Sequence, residues 1–296
     1  MIRFAPVYKP TLWGSNRLST EFGRRVPAGA IGESWELVDI EGEESRVARG
    51  PFEGQPIGEL WRSGALGGTA QGRFPLLLKW IDTRQKLSVQ VHPDEAACKR
   101  LGKGAPKSEA WYVAEVDSSS VILLGHYPGL DAATLRQAAT GGTIGKWLYE
   151  LRPRVGDMLA VRAGTLHCIG PGLLLLEVQQ PSATTFRVYD WGRTDDSGHP
   201  RDLHVEEACA SVDFARTGVP RAERDGVVGP GFSLKPVRLG VELAAKGLRV
   251  LVADSGPARL AHARGEERLD YGDVVVAEPA DGPVRLMAGT ALLVSE

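Results

Sequence analysis

Short apolar runs broken by glycine and proline constrain this chain more than any other feature. Glycine (36 residues) and proline (19 residues) punctuate Phe74–Ile81, Leu87–Val91, Trp111–Val116, Val121–Leu124, Met158–Val161, Leu173–Val178, Arg249–Ala253 and Val274–Ala277. Many short strands separated by turn residues predict an all-β sandwich or barrel. Helical spacing is confined to three places. Asp94–Leu101 opens behind Pro93, Asp131–Glu150 starts on an Asp cap and is broken at Gly141-Gly142, and Asp202–Val212 carries Leu203, Ala208 and Val212 on one face.

At 296 residues the chain has room for one large or two modest domains. Gly, Pro and charge cluster without apolar periodicity in Thr217–Gly231, which suggests residues 1–216, with a helical insertion near 131–150, followed by a smaller all-β unit over 232–296. An internal echo supports two related units. Gly156-Asp-Met-Leu-Ala-Val-Arg-Ala-Gly-Thr-Leu-His167 compares with Gly272-Asp-Val-Val-Val-Ala and then Ala288-Gly-Thr-Ala-Leu292, so Leu292 stands where the first copy has His167.

The formal net charge of −2 points to neither nucleic acid nor an anionic membrane as the main partner. No apolar run reaches the ~18 residues of a membrane span, and Met1-Ile-Arg-Phe-Ala-Pro lacks the pattern of a signal peptide. Cys98, Cys168 and Cys209 are odd in number and widely separated, which favours a reducing compartment over a disulfide framework or a thiolate zinc site. The expectation is a cytoplasmic protein.

Leu87-Ser-Val-Gln-Val-His-Pro93 is the stretch richest in chemistry. Strand alternation puts Leu87, Val89 and Val91 on one face and Ser88, Gln90 and His92 on the other. A hydroxyl, an amide and an imidazole side by side make a poor core and a plausible ligand site, although alone they also fit the half-exposed face of an antiparallel sheet. Downstream, Gly156, Arg162-Ala-Gly164 and His167 resemble the second metal motif of cupins, with Arg162 where proline is usual. Gln90-Val-His92 then takes the place of the first motif, normally His-x-His, and the carboxylate that should follow is delayed to Glu109 by an insertion containing Pro93–Pro106. Two imidazoles, a carboxylate and an amide oxygen suit a divalent ion such as zinc. With Glu109 as the single anion, such an ion keeps net positive charge and stays a strong Lewis acid.

Seven segments then occur in order: Trp13-Gly14, Gly32-Glu-Ser-Trp-Glu36, Phe74-Pro-Leu-Leu-Leu-Lys-Trp-Ile81, Leu87-Ser-Val-Gln-Val-His-Pro-Asp94, Lys107-Ser-Glu-Ala-Trp-Tyr112, Gly164-Thr-Leu-His167 and Thr185-Phe-Arg-Val-Tyr-Asp-Trp-Gly-Arg193. Together they resemble the type I mannose-6-phosphate (phosphomannose) isomerases in their short bacterial form, over residues 1–215 or so. The resemblance implies a cupin (jelly-roll) barrel that interconverts mannose 6-phosphate and fructose 6-phosphate. It implies one zinc ion per chain held by Gln90, His92, Glu109 and His167, with Ser88 and Lys79 toward the phosphate, Lys107 at the substrate and Arg187 as the active-site arginine. Arg193 is more simply a salt-bridge partner of Asp190. One departure matters: Pro181-Ser-Ala-Thr-Thr-Phe-Arg187 has Ala183 where the family commonly has Asp, so a mechanism using that Asp as base cannot operate here.

The chemistry implied is removal of the proton alpha to an open-chain carbonyl, giving a cis-enediolate whose charge zinc, Lys107 and Arg187 would stabilise. The base stays open among Glu36, Glu177, Asp190 and a metal-bound hydroxide. Two other readings compete: a sugar-phosphate-binding cupin without turnover, and an iron-dependent cupin oxygenase using His92, His167 and Glu109 as a facial triad. The expected partner is a small sugar phosphate, with the chain a monomer or weak homo-oligomer. His126, His199 and His262 read as loop residues outside the ligand pattern.

Overall fold

A computed structural model describes residues 1–68, 71–194 and 198–296. Two antiparallel sheets face each other in the N-terminal part. The first runs in the order Val7–Ser15, Ile31–Leu37, Leu77–Thr83, Leu173–Gln179, Glu109–Val116, Met158–Val161, and the second in the order Phe186–Tyr189, Val89–Val91, His167–Ile169, Ile122–His126, Leu148–Leu151. Between them lies an apolar cluster that includes Trp13, Ile81, Trp111, Val113, Ile122, Leu124, Leu173 and Leu175. This is the two-sheet barrel that the short punctuated runs predict.

Both faces of the first sheet are covered. Leu78, Trp80, Leu174, Leu176 and Val178 turn away from the barrel and pack against Val250, Val252, Val274, Val276 and Leu292 of the C-terminal part. Burial on two faces explains why Leu173–Gln179 reads as a continuous apolar run instead of alternating. The outer face of the second sheet is covered by helices Ala132–Thr140 and Val205–Ser211, through Leu135, Ala138 and Ala208 against Val89, Val91 and Val188. Asp131 caps the first of these by accepting the N–H of Thr134 at 2.7 Å. Beyond Gly141-Gly142 the chain makes a 3₁₀ turn, Ile144–Trp147, and then the strand Leu148–Leu151, so the expected second helical piece is largely strand.

The C-terminal part repeats the plan. Its sheets run Val227–Gly229, Phe232–Pro236, Leu292–Ser295, Val250–Val252, Val274–Val276 and Glu242–Leu243, Val284–Ala288, Ala258–His262, Gly265–Leu269. Taken along the chain, the eight strands from Leu77 to Gln179 and the eight from Phe232 to Ser295 visit their two sheets in the same order. The Gly-Asp turns match atom for atom. Gly156 and Gly272 both take positive φ (86° and 82°). Asp157 accepts the N–H of Arg154 at 2.8 Å, as Asp273 accepts that of Asp270 at 2.9 Å.

The Ala-Gly-Thr half of the sequence echo is a coincidence. Ala163-Gly-Thr165 precedes the strand His167–Ile169, whereas the corresponding strand of the second barrel is Val284–Ala288, and Ala288-Gly-Thr290 follows it. The counterparts of His167 are therefore in Val284–Ala288, not at Leu292. The N-terminal segment also joins the second barrel: Ile2 bridges Val276, and Arg3 donates to Glu267 and Asp273. Among the described residues no helix is long and apolar enough to cross a membrane.

Candidate metal centre

Three strands bring one cluster together. Gln90 lies in Val89–Val91, His92 just past its end, Glu109 at the start of Glu109–Val116, and His167 at the start of His167–Ile169. His167 is directly opposite Gln90 in the antiparallel register, which puts both side chains on one face. Pro93 stops the strand after His92, and Asp94 caps helix Glu95–Leu101 through the N–H of Ala97 at 2.7 Å. The turn ahead of His167 needs a glycine: Gly164 has φ 83°, a Cβ there would lie 3.1 Å from the Ser211 carbonyl, and its N–H donates to the His92 carbonyl at 2.8 Å. The Arg162-Ala-Gly164 motif thus ties one imidazole's strand to the other's.

His92 Nε2 is 3.2 Å from Glu109 Oε2, and His167 Nε2 is 3.5 Å from Glu109 Oε1. One ligand atom from each residue falls within 4.8 Å of the others. Each imidazole hydrogen-bonds a backbone carbonyl through Nδ1, His92 to Thr184 and His167 to Thr165, both at 2.9 Å. Those bonds put the proton on Nδ1 and aim the Nε2 lone pair at the centre. Burial and then the nearby Lys107 push His92 down to about 3, and burial lowers His167, so both are neutral donors. For Glu109, burial alone would raise the carboxyl, but the charge of Lys107 outweighs it and holds it well below the usual carboxylate range.

The arrangement fits a metal ion. Among the described residues His92 Nε2 and both Glu109 oxygens are buried without a hydrogen bond, and Lys107 Nζ, 2.9 Å from Glu109 Oε2, is an ion-pair partner without hydrogen-bond alignment. Buried orphan acceptors of this kind cost about 1–3 kcal/mol each unless something occupies the space between them. Gln90 Nε2 sits 3.1 Å from His167 Nε2 and donates into its lone pair. A half-turn of that amide exchanges nitrogen for oxygen and would complete a set of two imidazole nitrogens, one carboxylate and one amide oxygen.

Around the cluster the barrel carries a buried row of charge. Lys79 and Glu177 are cross-strand neighbours with Nζ 3.0 Å from Oε1. Lys79 also reaches Glu33 at 3.4 Å, and Lys107 reaches Glu177 at 3.8 Å. Burial would lower Lys79, but Glu177 and Glu33 raise it above the ordinary lysine value. Burial and the charge of Glu109 raise Glu177, against Lys79 and Lys107. Trp111 Nε1 donates to Glu177 at 3.0 Å and fixes its orientation.

The other expected residues divide. Ser88 Oγ donates to Gln90 Oε1 at 3.3 Å. Arg187 is opposite Gln90 across Phe186–Tyr189 and shares its face, with Nη1 on the Asp202 carbonyl at 2.8 Å and Nε buried without a hydrogen-bond partner among the described residues. Glu36 is not in the barrel: it faces the outside of the sheet, held by Arg24 and Ser34 at 2.6 Å each. Asp190 is engaged by Arg193, as expected, and by Arg201. Leu87 belongs to the barrel-interior cluster while Val89 and Val91 pack under the helices, because regular alternation begins only at Val89. His126 and His262 end strands, and His262 pairs with Asp281 at 3.2 Å. Glu33 and Trp35 were missed, although alternation along Ile31–Leu37 places them, and not Glu36, on the face of Lys79.

Residues 1–121 match the catalytic-domain model of type I phosphomannose isomerase. The chain is 38% identical over 211 residues to the mannose-6-phosphate isomerase of Streptococcus mutans, covering 71% of this chain and 66% of that protein. It is 37% identical over 216 residues to mannose-6-phosphate isomerase ManA of Bacillus subtilis, covering 71% and 67%. A crystal structure of the mannose 6-phosphate isomerase from Bacillus subtilis superposes with a TM-score of 0.88 at 28% identity, over 100% of this chain and 99% of that one. A mannose 6-phosphate isomerase bound with zinc and yttrium, 15% identical over 100% of this chain and 99% of its own with a TM-score of 0.73, shares the fold. The cupin barrel, its strand order and these relatives together place the chain in the type I phosphomannose isomerase family.

Proposed function

We propose that the chain is an aldose–ketose isomerase that interconverts mannose 6-phosphate and fructose 6-phosphate, with one zinc ion held by Gln90, His92, Glu109 and His167. The observation that carries this reading is the convergence of orphaned ligand atoms of His92 and Glu109 beside two buried lysines. The names of the relatives support the substrate, and the ligand set, with borderline nitrogen and hard oxygen donors, supports zinc. A divalent ion bound there would supply Lewis-acid charge toward the substrate's carbonyl and hydroxyl oxygens.

The chain's own residues do the rest. Thr184 and Thr165 carbonyls hold the imidazoles in the tautomer that offers Nε2. Lys107 is a fixed cation beside Glu109, positioned for the oxyanion that develops as the alpha proton leaves. Glu177 is the proton carrier this geometry favours. Of the carboxylates considered, it alone faces the cluster, its carboxyl is raised toward the working range of an acid–base group, and Trp111 fixes it. Ala183 lies on an exposed loop and supplies no base. Arg187, sharing the face of Gln90, would add charge near the developing oxyanion, and Ser88 would meet the phosphate end. Lys79 is a further phosphate candidate, although Glu177 and Glu33 already match its charge. Three free cysteines support a cytoplasmic setting, with the chain a monomer or weak homo-oligomer.

A coupled isomerase assay on metal-reconstituted protein, with elemental analysis of the same sample, tests the reading. Turnover with one zinc per chain is expected. Calorimetric binding of mannose 6-phosphate without conversion would select a binding protein instead, and iron with oxygen consumption would select an oxygenase.

A further inference from the structure

The geometry points to a second small-molecule site, on the outer face of the second sheet, that takes a flat aromatic anion of the nucleoside monophosphate type. A groove of about 350 Å³ opens there, on the opposite side of the strands that carry Gln90 and His167. Its floor is apolar, built from Val121, Leu123 and Pro171. One wall is Trp191 with Lys86, and the other is the turn Thr143–Lys146.

Trp191 is the single non-glycine residue with positive φ (61°) among the described residues. A left-handed backbone at a bulky aromatic is strained and persists only where the surroundings enforce it. They do so through the indole N–H, which donates to the Leu87 carbonyl at 2.6 Å, and through an edge-on contact with Tyr189 at 5.2 Å. Gly145 stands opposite, where a Cβ would come within 3.3 Å of the Trp191 ring. Its lack of a side chain keeps the ring facing an open groove.

The charge is one-sided. Lys86 Nζ lies 3.4 Å from the centre of the Trp191 ring, and neither Lys86 nor Lys146 has a carboxylate partner among the described residues. Among the described residues the one carboxylate on the rim, Glu150, is paired with Arg152. A hydroxyl-rich sugar would lose water over this floor without regaining hydrogen bonds. A flat ring laid on the apolar floor beside Trp191, whose ring face Lys86 covers until it turns to the ligand, with a phosphate toward the two lysines, uses what the groove offers. The site is separate from the barrel interior, so it stands whether or not the isomerase reading does.

Calorimetric titration of the full chain with AMP tests it, with adenosine and mannose 6-phosphate as controls. Expected are saturable AMP binding that quenches tryptophan fluorescence, no competition by mannose 6-phosphate, and about tenfold weaker affinity in both Lys146→Glu and Gly145→Val. Lys146 is exposed and Gly145 has an ordinary φ, so both variants should keep the fold. Absence of saturation by about 1 mM AMP would overturn the proposal. So would competition by mannose 6-phosphate, adenosine binding as tightly as AMP, or unchanged affinity in both variants.

Discussion

The eight strands between Leu77 and Gln179 and the eight between Phe232 and Ser295 follow one order through two sheets, yet they enclose opposite interiors. The first barrel surrounds His92, Glu109, His167, Lys79, Lys107 and Glu177, all buried. The second surrounds Leu251, Val275, Leu260, Leu269, Val284 and Leu286, and its strand corresponding to His167–Ile169 turns two aliphatic side chains inward. The same topology therefore hosts either a reactive interior or a stabilising one, and the choice lies in a few inward positions. The two are also joined. Trp80 Nε1 donates to the Gly272 carbonyl at 3.0 Å, Tyr112 hydroxyl donates to Asp254 at 2.5 Å, and the apolar outer face of the first sheet is buried against the sheet that holds Val250–Val252 and Val274–Val276. The barrel whose interior carries charge leans on the barrel whose interior is aliphatic.

The largest effect should come from emptying one ligand position. His92→Ala is expected to abolish metal retention and isomerase turnover together, measured by elemental analysis and a coupled assay on one preparation. A variant that lost zinc and kept its rate would separate the cluster from the chemistry. Leu286→Ala, at an inward position of the second barrel, should do the reverse. Removing a fully buried leucine costs roughly 2–5 kcal/mol of unfolding free energy, read from the shift of a urea transition, while the ratio of zinc to protein stays unchanged. If Leu286→Ala instead released the metal in folded protein, the division of labour between the barrels would be wrong.

Much of this contrast is written in the sequence, but unevenly. Gln90, His92, Glu109 and His167 could be picked out because strand alternation and the cupin-like spacing both mark them, and the structure brings all four to one place. Glu33 was hidden beside Glu36. The motif Gly32-Glu-Ser-Trp-Glu36 offers two carboxylates, and only the register against Leu77–Thr83, with Trp35 opposite Lys79, shows which one turns inward. The second barrel was legible as a sheet of the same kind, yet its alignment was wrong by one strand. Ala-Gly-Thr is a turn that many strand pairs use, whereas the Gly-Asp turn is tied by paired backbone bonds that only coordinates reveal. Trp191 shows the same limit, since nothing in Tyr189-Asp-Trp-Gly192 announces a left-handed tryptophan.

Acid should separate the barrels next. In metal-free protein His92 titrates near 3, well below its unfolded value of about 6.5, so the unfolded chain binds the extra proton between those two values. The stability contributed by its neutral form is complete above about pH 6.5 and is lost as pH falls toward 3, at up to about 1.4 kcal/mol per pH unit. His167, also lowered by burial, acts in the same direction. The cost at pH 5 is then about 2 kcal/mol from His92 alone. Hydrogen exchange at pH 5 should show protection lost first in Val89–Val91 and His167–Ile169, ahead of Val250–Val252 and Val274–Val276. Uniform loss across both barrels would mean that they unfold as one unit and that the charged interior is not the weak point.

The smallest effect tests whether the two barrels share a device as well as a strand order. Asp157 Oδ2 accepts the N–H of Arg154, and Gly156 N–H donates to the Val113 carbonyl at 2.9 Å. Asp273 Oδ2 accepts the N–H of Asp270, and Gly272 N–H donates to the Ala253 carbonyl at 2.9 Å. Each aspartate closes the turn that starts an edge strand, so Asp157→Ala and Asp273→Ala should each cost about 1 kcal/mol for the lost side-chain bond. The two are not equivalent in their outer contacts. Asp157 meets Arg224 at 2.9 Å, on a guanidinium that is largely exposed, whereas Asp273 meets the better-buried Arg3 at 2.6 Å. A slightly larger loss is therefore expected at Asp273, where an ion pair to the N-terminal segment goes with the turn, and Arg3→Met should account for the excess without touching the turn itself. If Asp157→Ala were neutral while Asp273→Ala cost the full amount, the turn would be incidental, and the Arg3 bridge alone would explain why an aspartate stands in the second barrel.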